Sequence, residues 1–463
     1  MRTSISLLAA ALMATALPLQ AQESVTKQYD DGGIYEGSFK DGVQHGRGTY
    51  RQPNGYEYTG DWVMGEIRGQ GIARFPDGSV YEGNFEAGGP HGQGKITFAD
   101  GGTYEGDWVN GKITGNGVAI YANGSTYAGQ FENALQQGQG RLEDPSGFVY
   151  EGSWVAGQKE GIGKATYADG AVYEGEFLYD RRNGQGSWTT QDGLNYIGGW
   201  VDDLFDGEGV LTQPNGGRYE GQMKQGLQNG EGIQVYETGD VYEGEFAMGQ
   251  RHGRGIYRSQ DGYIYEGDWV EGRSEGQAIV TYPNGSVYVG WFENDLANGQ
   301  GKITHTDGST YEGAWVNGIQ DGEGVETHPS GLVYEGGYSK GQYNGRGKMR
   351  YADGYSYDGE WSDGQRHGKG TATYPDGTVY TGDFLEGQRH GQGEIVTPIN
   401  FRYVGGWVDG EIQGKGEATY PNGDVYVGHF QRGERQGEGT MRYATGQEET
   451  GEWEADQLKT AAE

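Results

Sequence analysis

The chain has 463 residues, yet only 33% are hydrophobic and 93 are glycine, so there is too little aliphatic material to fill several ordinary cores. A net charge of −33 excludes nucleic-acid binding, which needs clustered Lys and Arg, and it opposes adhesion to anionic lipid by charge alone. With no cysteine, disulfides, thiolate metal sites and lipid-modified cysteine anchors are excluded as well.

The first stretch, "MRTSISLLAAALMATALPLQAQ", carries one arginine, an apolar run over residues 5–17, Pro18 and the small residue Ala21. This is the layout of a bacterial secretory signal cut after Ala21. The rival, an uncleaved anchor, would need an apolar run of about 20 residues. The expected organisation is therefore a signal at 1–21 and a leader at 22–28. An exported protein, periplasmic or extracellular, is expected.

From Tyr35 the text becomes periodic. Stepping by 23 residues meets a tyrosine eighteen times, from Tyr35 and Tyr58 to Tyr403 and Tyr426, with no insertion or deletion. With each tyrosine as position 0, position 2 is always Gly and position 4 is aromatic except for Met223. Position 11 is always Gly, position 13 is Gly except for Ala278, and position 20 is Gly except for Asn400. The array runs over residues 29–453 and leaves no room for a second globular domain, with a tail or cap at 454–463.

Within one repeat, Tyr173-Glu174-Gly175-Glu176-Phe177 alternates with period two, which marks a strand with one aromatic and one polar face. A second alternating run starts at position 13, as in Gly370-Thr371-Ala372-Thr373-Tyr374. Asp-Gly or Asn-Gly at positions 19 and 20, such as Asp77-Gly78, signals a hairpin turn. Positions 5–11 form the longer connection. There Asp180, Asp203 and Asp295 replace the usual position-7 glycine and tolerate a positive φ, whereas Ala134 does not fit.

The segment "VYEGEFAMGQRHGRGIYRSQDG", residues 241–262, shows the full signature Tyr-x-Gly-x-(Trp/Phe)-x-x-Gly-x-x-x-Gly-x-Gly. It resembles the MORN repeat (membrane occupation and recognition nexus), and the resemblance covers nearly all of the chain after residue 28. The resemblance implies an all-β fold: an elongated single-layer antiparallel β-hairpin array, a twisted and curved solenoid used as a scaffold or docking surface, often with self-association. Some relatives touch phospholipids and some carry a fused kinase or methyltransferase, but the repeats here leave no space for such a domain. No catalytic, cofactor or metal site is expected.

At position 4 Phe and Trp alternate, from Phe39 and Trp62 to Phe430 and Trp453, interrupted at Met223 and with Tyr338 in one of the Phe places. Rings of alternating size would let neighbouring layers interdigitate. The tryptophans Trp62, Trp108, Trp154, Trp200, Trp269, Trp315, Trp361 and Trp407 are the candidate groove aromatics. Most rings are expected in the core, because a one-layer sheet has nothing else to cover its apolar face.

Other apparent sites dissolve against the period. His45, His91, His252, His367 and His390 all occupy position 10, where other repeats place Asn, Asp, Gln or Glu, so they read as turn residues. Ser274 and Ser339 sit in GxSxG strings, but between strands rather than in the strand-turn-helix of a hydrolase elbow. Two functions remain: a non-enzymatic scaffold for envelope proteins, and a module for an extended polymer such as envelope glycan. Lipid association conflicts with the acidic surface, and a homo-dimer is compatible with the family. Glu448, Glu449, Glu452, Glu454 and Asp456 precede a helix-compatible tail and are expected to cap the last edge by charge repulsion.

Overall fold

The computed structural model describes residues 24–459, and the expected signal at 1–21 lies outside them. The described residues form 39 β-strands and no helix, hence none long and apolar enough to cross a membrane. The chain divides into two compact units, Met1–Gly207 and Glu208–Glu463. In the first, strands from Val25–Gln28 to Asn195–Val201 each pair antiparallel with their sequence neighbours. In the second, strands from Arg218–Lys224 to Gln457–Leu458 do the same. Each unit is a single-layer sheet of hairpins.

One hairpin of the first unit serves for all. A seven-residue strand, Thr103–Val109, carries Tyr104, and a nine-residue strand, Lys112–Ile120, returns beside it. The second strand thus begins at position 8, five residues before the alternation places it. The expected long connection is a two-residue turn, Asn110-Gly111, with φ of 51° and 77°. Positive φ at both residues is the type I′ geometry that matches strand twist. The sequence conceals this turn because position 6 accepts almost anything: Ala156, Tyr179 and Met248 all adopt φ of 48–50°. Ala134, the misfit at position 7, takes the same left-handed conformation with φ of 65°.

A β-bulge disguises the second strand further. Gly106 faces Gly117, but Trp108 faces Ile113, so the return strand holds two extra residues in between, three against one. The position-11 glycine, here Gly115 with φ of 74°, absorbs the bulge. The Asn-Gly end is the wider one. Tyr121 and Ser125 close a three-residue loop through Tyr121 N–H to Ser125 O at 2.9 Å, and Asn123 Oδ1 accepts from Ser125 N–H at 2.9 Å. This side-chain bond explains the Asx at position 19.

The core repeats with the sequence. Tyr104 is 1% exposed and its hydroxyl donates to the Asp107 carbonyl at 3.0 Å. The same bond recurs at every position-0 tyrosine, from Tyr35 to Ser38 O at 3.0 Å through Tyr426 to His429 O at 3.2 Å. Tyr104 meets Trp108 and Phe131 edge to face, at 5.7 and 5.0 Å between centroids. Alternation at position 4 therefore gives a tyrosine one Phe and one Trp neighbour. The tail corrects an expectation: Ala455 and Asp456, with φ of 47° and 67°, turn the chain into the short strand Gln457–Leu458, so residues up to 459 are not helical.

The glycines at positions 2 and 13 make room for this ring, but with different neighbours. A Cβ on Gly117 would stand 2.5 Å from the Tyr104 hydroxyl oxygen, whereas one on Gly106 would also stand 2.5 Å from Asn116 O and Gly117 Cα. A ring can tilt more easily than backbone can move. Ala278 shows this: at position 13 of its repeat it coexists with a 2.8 Å bond from Tyr265 to Asp268 O. Gly106→Ala is expected to destabilise by about 3 kcal/mol and Gly117→Ala by about 1 kcal/mol. Equal losses in denaturant unfolding would contradict the asymmetry.

Burial pushes the phenols of Tyr81, Tyr104, Tyr127, Tyr288, Tyr311 and Tyr403 up to about 12 from 10.0. Folding therefore holds these protons more tightly than the unfolded chain does. Their contribution to stability is complete below pH 10 and is lost as pH rises through about 12. An ultraviolet phenolate titration should show these groups ionising late, together with alkaline unfolding. Their early ionisation while the far-ultraviolet dichroism stays native would refute the assignment.

Candidate functional site

Alternation gives the sheet two unlike faces. Positions 0, 4, 9 and 15 share the aromatic face, while positions 1, 3, 12 and 14 share the other. The eight tryptophans singled out from the sequence all lie in the aromatic core, 2% (Trp200) to 8% (Trp315) exposed. Their indole N–H groups are used internally. Trp62 donates to Gly48 O at 3.3 Å, Trp108 to Gly94 O at 3.1 Å and Trp407 to Gly393 O at 3.2 Å, and the other five follow the same rule.

Several of these rings are also roofed by a position-9 arginine. Arg182 lies over Trp200 at 4.5 Å, Arg251 over Trp269 at 4.0 Å and Arg389 over Trp407 at 4.4 Å. Each guanidinium also reaches a backbone carbonyl in the next turn: Asp203 O at 3.1 Å, Gly272 O at 2.7 Å and Gly410 O at 2.7 Å. The roof joins adjacent hairpins while covering the indole.

The open aromatic surface lies nearer the three-residue loops, at positions 17 and 21. Tyr56 approaches Phe75 at 5.9 Å, Phe148 approaches Tyr167 at 5.3 Å and Tyr355 approaches Tyr374 at 5.5 Å. In the second unit these residues line a hollow of about 680 Å³, together with Tyr343, Tyr351, Asp353 and Arg366. Tyr351 is 41% exposed, and Arg366 is bound to the Tyr355 hydroxyl. Sequence reading missed these rows because it followed the invariant columns. Aligning the repeats at position 17 would have shown the recurring Tyr and Phe.

The position-10 residues have a definite task. His45 Nδ1 accepts from Met64 N–H at 3.4 Å, Gln137 Oε1 from Ala156 N–H at 2.9 Å and Glu275 Oε1 from Asn294 N–H at 3.0 Å. Each ties its hairpin to the type I′ turn of the next, which explains why the position takes acceptors of several kinds. His390 Nδ1 stands 3.9 Å from Asp409 of the following turn. Ser274 lies within strand Arg273–Thr281 and bonds Asp295 at 2.9 Å, while Ser339 ends strand Val333–Ser339.

The MORN repeat family model matches eighteen successive segments, from residues 35–55 to 426–448. The chain belongs to the MORN repeat family and is a repeat-based binding scaffold. No curated protein matches it in sequence. Similar solved structures include the TCP10 domain of Danio rerio CPAP, 14% identical, covering 48% of this chain and 93% of that one with a TM-score of 0.23. They also include the SAS-4 TCP domain of Drosophila melanogaster in complex with a proline-rich motif of Ana2, 14% identical, covering 46% and 99% with a TM-score of 0.21. Likenesses this remote do not bear on what this chain binds.

Trp407→Phe keeps an aromatic ring but removes the donor to Gly393 O. It should cost about 1 kcal/mol in denaturant unfolding. Trp407→Ala should cost about 3–5 kcal/mol. Similar losses for the two variants would show that the indole hydrogen bond, not ring packing, dominates.

Proposed function

We propose that the protein is a non-enzymatic docking scaffold of the bacterial envelope, binding other envelope proteins along its exposed sheet face. The observation that carries this reading is the ladder of outward side chains on that face. In five hairpins a position-14 cation faces a position-1 carboxylate, among them Lys95 and Glu105 at 3.6 Å, Arg141 and Glu151 at 2.9 Å, and Lys302 and Glu312 at 3.1 Å. Equivalent outward positions recur every two strands, roughly 10 Å. A regular, open array of this kind suits an extended partner better than an enclosed small substrate. Export through the signal-like segment at 1–21 would deliver the scaffold to the periplasm or beyond.

A specific observation also favours the polymer-binding alternative. The half-buried Tyr and Phe rows beside the three-residue loops, open at Phe98, Tyr121 and Tyr351, offer rings for stacking on envelope glycan, a role the buried tryptophans are poorly placed to fill. Lipid association gains nothing from a chain of charge −33. Affinity capture from envelope extract, followed by mass spectrometry, should return a small set of envelope proteins whose retention weakens with salt. A glycan array that binds the chain when no protein is retained would favour the alternative. Cell fractionation tests the location, and finding the uncut chain in the cytoplasm would contradict export.

A further inference from the structure

Position 14 holds Lys or Arg in five repeats, at Lys95, Arg141, Lys164, Lys302 and Lys348, and in the second unit three successive repeats place isoleucine there, Ile233, Ile256 and Ile279. In register, Ile233 faces Glu243, Ile256 lies between Glu243 and Glu266, and Ile279 lies between Glu266 and Val289. Glu231 and Glu266 have no ion pair among the described residues, and Glu243 has only an exposed contact with Arg258 at 3.4 Å. Arg254, the cation within the same stretch, is paired with Asp268 at 3.6 Å.

Beside these isoleucines stands Trp291. It is the only aromatic residue at position 3, where other repeats place mostly small or polar groups. It is 50% exposed, as is its neighbour Val289, and Ile279 is 47% exposed. Together with Glu231, Glu243, Glu266, Ile256 and Arg254 they line a hollow of about 710 Å³ on the outer face. The volume falls in the range of ordinary ligand sites, about 300–1,000 Å³. An exposed indole beside the unpaired Glu231 and Glu266 attracts a cation more strongly than a neutral group.

We propose that this stretch is a docking site for an extended cationic peptide segment, whose Lys or Arg side chains meet the carboxylates of Glu231, Glu243 and Glu266 beside Trp291. The inference rests on the protein-docking reading above and names the partner's chemistry. Glu243 and Glu266 lie two strands apart, roughly 10 Å, which a polyproline II chain, rising about 3.1 Å per residue with three residues per turn, spans in one turn. Basic residues at every third position therefore match the carboxylates. An aliphatic or aromatic residue between them lies on Ile256 and Ile279, and one basic or aromatic side chain covers Trp291.

The test uses the full chain and a labelled peptide, acetyl-Lys-Ser-Ile-Lys-Ser-Tyr-Lys, with a version carrying Glu for Lys and a chito-oligosaccharide as comparisons. The Lys peptide should bind, weakening with salt, and the Glu version should not. Trp291→Ala should weaken binding about tenfold. Ile256→Lys should weaken it as much by placing an internal cation between Glu243 and Glu266, with an unchanged unfolding midpoint, since Lys95, Lys164 and Lys302 occupy the same position elsewhere. Failure of the Lys peptide to bind overturns the proposal. Binding that survives both substitutions overturns this site and leaves the docking reading standing. Preference for the oligosaccharide, lost in Trp291→Ala, overturns both.

Discussion

Each repeat depends on one tyrosine lying flat over two glycines, with its hydroxyl bonded to the carbonyl three residues ahead. A sheet one layer thick has no opposing layer to bury its apolar side, so it must cover itself. The position-0 ring does this by lying along the sheet instead of standing away from it. It touches the glycine at position 13 so closely that Tyr104 leaves no free space for a methyl at Gly117. The hydroxyl would be costly to bury unpaired, and the Asp107 carbonyl satisfies it. Neighbouring position-4 rings then close on the tyrosine edge to face, so that each hairpin is completed by the next.

This arrangement explains the composition. Glycine is abundant because the ring needs clearance at positions 2 and 13, the bulge needs a left-handed residue at 11, and the turns need others. Stability is concentrated on the aromatic face, so the opposite face carries few packing demands. Its residues vary from repeat to repeat while the backbone beneath stays the same. Variation at constant geometry is what lets a repeat protein place distinct chemistry at successive points. Ile256 stands where Lys302 stands in another repeat, and Tyr265 beside it keeps the same 2.8 Å bond to Asp268 O. The isoleucine changes only what the surface offers.

The period, the strand carrying each tyrosine and the inward aromatic face were legible because the 23-residue phase never slips. The start of the return strand was not. Its bulge shifts the alternation, so positions 8–12 do not read as period two. The type I′ turn was hidden for another reason. Stacking and twist impose left-handed φ on Met248 or Tyr179, residues whose own preference is against it. Among the candidate site residues, the eight tryptophans read as groove aromatics lie on the aromatic face and are buried there, 2% (Trp200) to 8% (Trp315) exposed. Sequence could not show that Arg182, Arg251 and Arg389 roof some of them, because position 9 also takes Ile, Gln, Ala and Tyr. The signal at Trp291 is its column, visible only once every repeat is laid in phase.

The central claim is that each tyrosine holds its own hairpin and the next, with little reach beyond. Backbone hydrogen exchange on a Tyr104→Ala chain tests this most directly. The account predicts lost protection in strands Thr103–Val109, Lys112–Ile120 and Thr126–Glu132, with strands of the second unit, such as Thr310–Val316, protected as before. Protection unchanged beside residue 104, or lost evenly along the whole chain, would contradict it.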